Sequence, residues 1–281
     1  MPKKNTVATL LAMKGQEKIT QLTCYDYTTA RLIDSAGINT ILVGDSLGMT
    51  MQGYEDTLPV TMEEMIVYGR SVCRGCKDAF VIMDMPFMSY QVSVEQAVAN
   101  AGRLIKECGA NAVKLEGGSQ VCRQIEAITA CGIPVCAHIG MTPQSVNAFG
   151  GFKVQGKGEA NARRVLEDAL AVEKAGAFMV VLECIPPKLA ALITKKTKMI
   201  TIGIGGGAGC DGQVLVYQDM LAMGDFKPKF VKHFAQIGQQ MKEAFQAYSQ
   251  QVKDGSFPEE IHTYAKSDCS DTFLAQLDAE Y

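Results

Sequence analysis

Four stretches of the chain repeat one arrangement of apolar and polar positions. S-A-G-I-N-T-I-L-V-G-D at 35–45, E-C-G-A-N-A-V-K-L-E-G at 107–117, A-C-G-I-P-V-C-A-H-I-G at 130–140 and K-A-G-A-F-M-V-V-L-E-C at 174–184 share a common course. Each passes from helix-like sequence through a glycine into a short apolar run that ends on a polar residue. Gly37, Gly109, Gly132 and Gly176 supply the left-handed turn that closes a helix. A run that is apolar on both faces and follows a helix is the mark of a parallel sheet covered by helices.

The same reading along the whole chain predicts eight strands, at 19–24, 40–43, 80–83, 112–115, 135–138, 178–182, 199–202 and 214–217. Helical periodicity fills the intervals. Over 93–108, Val94, Ala97, Val98, Ala101, Leu104, Ile105 and Cys108 form one stripe, 160–175 repeats the pattern, and a last long helix is expected over 230–251. Eight such units in about 250 residues, with no Pro/Gly/Ser-rich linker, predict a single-domain (β/α)8 TIM barrel. An N-terminal helix precedes it and an extra C-terminal helix and tail follow. The catalytic domain is expected over 1–262, with 263–281 a tail of no assigned role; an open doubly wound sheet is the alternative.

A barrel carries its chemistry at the C-terminal ends of its strands. Those ends read Tyr25-Asp26, Asp45-Ser46, Asp84, Lys114 and Glu116, His138, Glu183, the glycine run 203–209, and Asp219. Asp45, Asp84 and Glu116 would converge on one mouth, and carboxylates that close repel unless a cation lies between them. All-oxygen ligands favour Mg2+ over a soft metal. The competing reading is that each acid caps a helix or ties a turn.

Lys114 and Glu116 share strand parity and so face the same side. A lysine inside a barrel needs an anion, which leaves a substrate carboxylate, a Schiff base or an internal pair with Glu116. Glu183 ends an otherwise apolar strand, surroundings that suit proton transfer near neutral pH, or else it caps a helix before Pro186-Pro187. His138 is one of only three histidines and is either an accessory to the chemistry or a hydrogen-bonded structural residue. Met49, Met51, Met85 and Met88 stand where they would line a pocket for an apolar side chain.

Composition narrows the functional classes. The 281 residues are 47% hydrophobic and 20% charged, with net charge −3 and no basic block, which argues against nucleic-acid or membrane-surface binding. No apolar run approaches the roughly 18 residues of a membrane span, and the N-terminal apolar segment is too short for a signal peptide. Ten cysteines lie mostly within apolar runs, as small buried hydrophobes of a reducing, cytoplasmic compartment do. C-R-G-C at 73–76 closes a helix instead of opening one, which speaks against a redox or zinc motif. The glycine run at 203–209 has a strand within a few residues and no convincing helix directly after it, so it is not read as a dinucleotide fingerprint.

Several motifs taken together resemble a known family. G-D-S-L-G-M-T-M-Q-G at 44–53, T-L-P-V-T at 57–61, D-M-P-F-M at 84–88, V-K-L-E-G-G at 113–118, H-I-G-M-T-P-Q-S at 138–145, G-G-F-K-V-Q-G at 150–156 and L-E-C at 182–184 are similar to ketopantoate hydroxymethyltransferases. The resemblance runs in order from about 20 to 262. It implies hydroxymethyl transfer from 5,10-methylenetetrahydrofolate to 3-methyl-2-oxobutanoate, giving 2-dehydropantoate on the route to pantothenate and coenzyme A. It also implies a Mg2+ site and a homo-oligomer, decameric in bacterial members. By that resemblance Asp45, Asp84 and Glu116 are the metal-site acids, Asp45, Ser46, Asp84 and Lys114 bind the substrate, and Glu183 accepts the proton. It assigns no folate contacts. A related Mg2+ barrel lyase or mutase of the phosphoenolpyruvate or pyruvate type is the alternative, but that chemistry calls for an arginine at a strand end and none stands there.

Overall fold

The computed structural model describes residues 4–264, 266 and 268–281. Its eight strands are β1 Ile19–Thr23, β2 Thr40–Val43, β3 Phe80–Asp84, β4 Ala112–Glu116, β5 Val135–Gly140, β6 Met179–Glu183, β7 Ile200–Ile204 and β8 Gly212–Leu215. They pair in sequence order, all parallel, and β8 returns to β1, so the sheet is a closed barrel and the open-sheet alternative falls. Every predicted strand is present. Among the described residues no helix is long and apolar enough to cross a membrane.

The barrel is filled from the inside. Ile19, Leu42, Phe80, Ile82, Ala112, Cys136, Met179, Val181, Ile200, Ile202 and Val214 form one buried cluster. Its lower end is stoppered by the N-terminal helix Val7–Met13, which puts fully buried Leu10 into the cluster with Val7 and Met13 packed beside it. The Thr6 hydroxyl caps that helix, and an ion pair from Lys14 to Asp211 at 2.6 Å fastens its far end.

Local sequence explains the outer helices. Thr61 and Glu64 close a capping box on Met62–Gly75, and the Ser93 hydroxyl caps Val94–Arg103. The stripe expected over 93–108 holds, although its last turn, Leu104–Cys108, widens to a π-helix before Gly109 turns at φ +81°. The helix expected over 160–175 is Glu159–Lys174.

Contacts divide the chain into two compact units. The first contains residues up to Met220 together with Phe226–Lys232 and holds the whole barrel. The second contains Leu221–Asp225 and His233–Tyr281, with helices Ile237–Asp254 and Asp271–Glu280. The long helix expected from 230 starts instead at Ile237. Pro228 begins a tight turn in which Val231 N donates to the Pro228 carbonyl, and those residues are thereby taken out of the helix.

Candidate active site

Alternate side chains of a strand face the barrel interior, and the polar residues at its mouth continue the rows of the core. Phe80 and Ile82 lead to Asp84, Ala112 to Lys114 and Glu116, Cys136 to His138, and Met179 and Val181 to Glu183. Asp45 and Ser46 arrive just past β2. Asp45, Ser46, Asp84, Lys114, Glu116, His138 and Glu183 all line one cavity of about 430 Å3. The structure thus brings every candidate site residue to one place.

The ladder sets their spacing. Asp84 is paired directly across from Lys114, and Glu116 across from His138. Lys114 Nζ lies 2.8 Å from Asp84 Oδ1, 3.9 Å from Glu116 Oε1 and 3.0 Å from His138 Nδ1. With the ammonium as donor, His138 Nδ1 is the acceptor and the imidazole proton sits on Nε2. That nitrogen is 3.2 Å from Glu183 Oε2, out of line for a hydrogen bond. Glu183 is the least enclosed of the acids, its side chain 13% exposed against 3% for Glu116.

Charge in this enclosure is unbalanced. Burial, and then repulsion from Asp84 and Glu116, pushes the Asp45 carboxyl well above the usual range. Burial also raises Asp84 and Glu116, with Lys114 opposing the shift in both. Burial works against the Lys114 charge too, but Asp84, Glu116 and Asp45 overcome it and hold the ammonium above the ordinary lysine range. His138 is pushed down by burial and then by Lys114, which keeps the ring neutral.

Backbone geometry makes room for this crowding at two glycines. A Cβ on Gly44 would stand 2.7 Å from Ser46 Oγ, and one on Gly140, at φ +96°, would stand 2.3 Å from the Glu183 carbonyl. Just beyond Glu183, Cys184 adopts φ +47°, a conformation that costs a non-glycine residue on the order of 1 kcal/mol.

Two further residues, not among the candidates above, belong to the site. Gln144, from the loop after β5, donates through Nε2 to Asp45 Oδ2 at 2.8 Å and through its backbone N to Glu116 Oε2 at 2.9 Å. Tyr90, in the long loop after β3, places its hydroxyl 2.7 Å from Gln144 Oε1 and accepts from Glu116 N at 3.1 Å. Both lie outside the strands and long helices, where periodicity says nothing; the 138–145 motif is the one sequence signal that includes Gln144. Tyr25, one of the expected strand-end residues, lies just past β1 and reaches Ser46 Oγ with its hydroxyl at 2.7 Å.

Other expectations are corrected. Asp26 is a helix cap, its Oδ1 accepting from Thr29 N at 2.8 Å. Of the four methionines expected around a pocket, only Met49 lines the cavity; Met85 is buried, and Met51 and Met88 point outward at 40% and 48% exposure. Met141 takes part instead. The glycine run at 203–209 serves close packing: Cβ atoms on Gly207 and Gly209 would stand 2.7 Å from Pro187 and Ala191, at the start of helix Pro187–Lys196. The mouth is consequently uneven. The buried acids, amine and imidazole occupy the β2–β6 arc, while Ile204, Val214 and Val216 give the β7–β8 side an apolar surface, with Asp219 beyond it.

A closed parallel barrel whose only dense polar cluster among the cavity-lining residues is an acid–ammonium–imidazole set at the strand C-termini is a (β/α)8-barrel enzyme. The model of the ketopantoate hydroxymethyltransferase family matches residues 4–260. Curated 3-methyl-2-oxobutanoate hydroxymethyltransferases are close relatives: that of Clostridium novyi (strain NT) is 63% identical over 263 residues, 93% of this chain and 96% of its own. That of Enterococcus faecalis (strain ATCC 700802 / V583) is 62% identical over 267 residues, 94% and 97% of the two chains. The chain belongs to the ketopantoate hydroxymethyltransferase family, and it is a transferase.

Solved structures share the fold at low identity. A phosphonomutase-like protein of Burkholderia cenocepacia J2315 superposes with TM-score 0.62 at 17% identity, covering 78% of this chain and 96% of its own. Phosphonopyruvate hydrolase, solved with oxalate and Mg++, gives 0.60 at 12% identity over 98% and 95%.

Proposed function

We propose that this chain transfers a hydroxymethyl group from 5,10-methylenetetrahydrofolate to 3-methyl-2-oxobutanoate. With one water consumed, the products are 2-dehydropantoate and tetrahydrofolate. The observation that carries the reading is the uneven mouth of the cavity. A buried ammonium and acids stand where a 2-oxo carboxylate would enter, and an apolar wall stands where an isopropyl group would lie. No arginine lines the cavity among the described residues, as expected for a substrate without phosphate or a second carboxylate.

The residues also fit a Mg2+ ion. Three carboxylates face one ammonium, and Asp84 Oδ1 has that ammonium, 2.8 Å away, as its partner. Among the described residues no three acids, imidazoles or thiols converge as a ready ligand set. A bound Mg2+ would therefore take one or two of these carboxylates and complete its shell with waters and substrate oxygens. Asp45 and Asp84 would hold it, with Glu116 as the third acid of the site, and the ion would supply positive charge to the oxo acid and its enolate.

Lys114 and the Ser46 hydroxyl bind and orient the substrate carboxylate. Glu183 takes the C3 proton of the bound oxo acid, leaving an electron pair that forms the new C–C bond to the one-carbon unit. His138, held neutral, stands with Nε2 3.2 Å from the Glu183 carboxylate, close enough to act on it as an accessory. The enzyme is read as a cytoplasmic homo-oligomer of decameric size, a mass that sedimentation equilibrium reads directly. The reaction is tested by following the C3 proton by NMR in D2O with Mg2+ and the oxo acid. Exchange that vanishes in Glu183→Gln supports the assignment. No exchange in the wild type, with or without tetrahydrofolate, overturns it.

A further inference from the structure

The cavity changes character from floor to rim. Its floor is the buried polar set, whereas its outer part is formed by Phe152 and Lys153 from the loop before helix Glu159–Lys174, and by Phe226, Lys229 and Phe230 from the chain after β8. Phe152 and Phe226 are 53% and 57% exposed, an unusual display of aromatic surface at the entrance of a cavity. Lys153 and Lys229 are exposed as well, and neither has an ion-pair partner among the described residues. Phe230 is backed by the β7–β8 loop, where a Cβ on Gly205 would stand 3.2 Å from its ring.

At about 430 Å3 the cavity lies within the range of roughly 300–1,000 Å3 that receives a drug-sized ligand, well beyond the needs of a five-carbon oxo acid. We propose that this outer region seats the reduced folate, its rings against Phe152, Phe226 and Phe230 and its glutamyl carboxylates on Lys153 and Lys229. The inference rests on the reaction proposed above and assigns residues to its second substrate. A folate matches the region in both respects, having flat rings at one end and anionic carboxylates at the other. Aromatic faces bind flat rings with little side-chain entropy to lose. Solvated ammonium groups without partners attract carboxylates most strongly at low salt. The placement also suits the reaction. Glu183, less buried than Asp45, Asp84 and Glu116, ends β6, which lies in the barrel between the strands preceding the two rim segments, so the carbon it deprotonates faces the donor.

The experiment separates this assignment from the reaction itself. Exchange of the C3 proton with Mg2+ and oxo acid alone reports the floor; KM for 5,10-methylenetetrahydrofolate and calorimetric binding of tetrahydrofolate report the rim. Phe226→Ala, or Phe152→Ala as a second variant, is expected to keep the exchange rate while raising the donor KM and the tetrahydrofolate Kd about tenfold, the size of one lost stacking contact. The double variant Lys153→Ala/Lys229→Ala is expected to erase the preference for a triglutamyl over a monoglutamyl donor. Intact exchange with unmoved donor KM and tetrahydrofolate Kd in these variants overturns the inference alone. Absence of exchange in the wild type overturns the underlying reaction and the inference with it.

Discussion

Gln144 Nε2 donates to Asp45 Oδ2 at 2.8 Å, tying a loop residue to an acid of the mouth across 99 positions of sequence. The same residue's backbone N holds Glu116, so one loop fixes two acids. Gln144→Ala removes a hydrogen bond to a charged group, worth about 1.5–3 kcal/mol. The expected result is a loss of roughly tenfold to a hundredfold in kcat/KM. Tyr90→Phe, which releases the far side of that amide and the Glu116 backbone N–H but leaves both carboxylates bonded, should cost less. Steady-state kinetics with Mg2+ varied would show both effects as a weaker metal requirement curve; unchanged kinetics in Gln144→Ala would remove the loop from the site.

Asp45 is held in the cavity at a cost in stability. Its carboxyl is held above the ordinary range in the folded chain, so it contributes stability below about pH 4 that is lost as pH rises through the raised value. Without metal, Asp45→Asn is therefore expected to melt higher than the wild type at pH 7, by ~1 kcal/mol. With Mg2+ at a hundred times its Kd the order reverses, since the wild type gains about 2.7 kcal/mol and the variant gains little. Thermal melts with Mg2+ and with EDTA decide it.

Gln21 lies inside the barrel at 2% exposure, and neither end of its amide has a hydrogen-bond partner among the described residues. An unpaired buried amide is costly, and an apolar residue of like shape relieves it. Gln21→Met is expected to raise Tm by a few degrees, about 1 kcal/mol for a chain of this size. A fall in Tm would mean that the amide is satisfied by internal water.

Burial also silences most of the thiols. Cys24, Cys73, Cys76 and Cys136 are each pushed up to about 12 by burial, whereas Cys131 and Cys269 are exposed. At pH 8 a thiol of that kind is ionised in only about one molecule in ten thousand, and the thiolate is the nucleophile. Iodoacetamide followed by peptide mass spectrometry should therefore mark Cys131 and Cys269 first. The buried four should respond only as pH climbs well past 9 or the chain unfolds. Early labelling of Cys73 and Cys76 would instead reveal a reactive pair at that helix end.

The sequence discloses the barrel because β-strands buried on both faces leave uninterrupted apolar runs, and these repeat eight times. Asp45, Asp84, Lys114, Glu116, His138 and Glu183 were legible for the same reason: a polar residue at the end of such a run stands out. Asp26 looked alike but caps a helix, a distinction that depends on backbone direction after β1. Gln144 and Tyr90 escaped the strand-end reading because loops follow no period. The start of the last long helix was misplaced because apolar Phe230 and Val231 fit a helical stripe, while the turn after Pro228 overrides it.

The pairing of Asp84 with Lys114 and of Glu116 with His138 means that the reaction's spacings are quantised by the strand ladder. Sliding either strand by one residue would not loosen this site but would turn its side chains out of the barrel altogether. Point changes can retune what surrounds these groups, and the loops above them can be rebuilt. The distances between the central groups, however, can be altered only by refolding the sheet, which makes this set of contacts one that lineages would keep or lose whole.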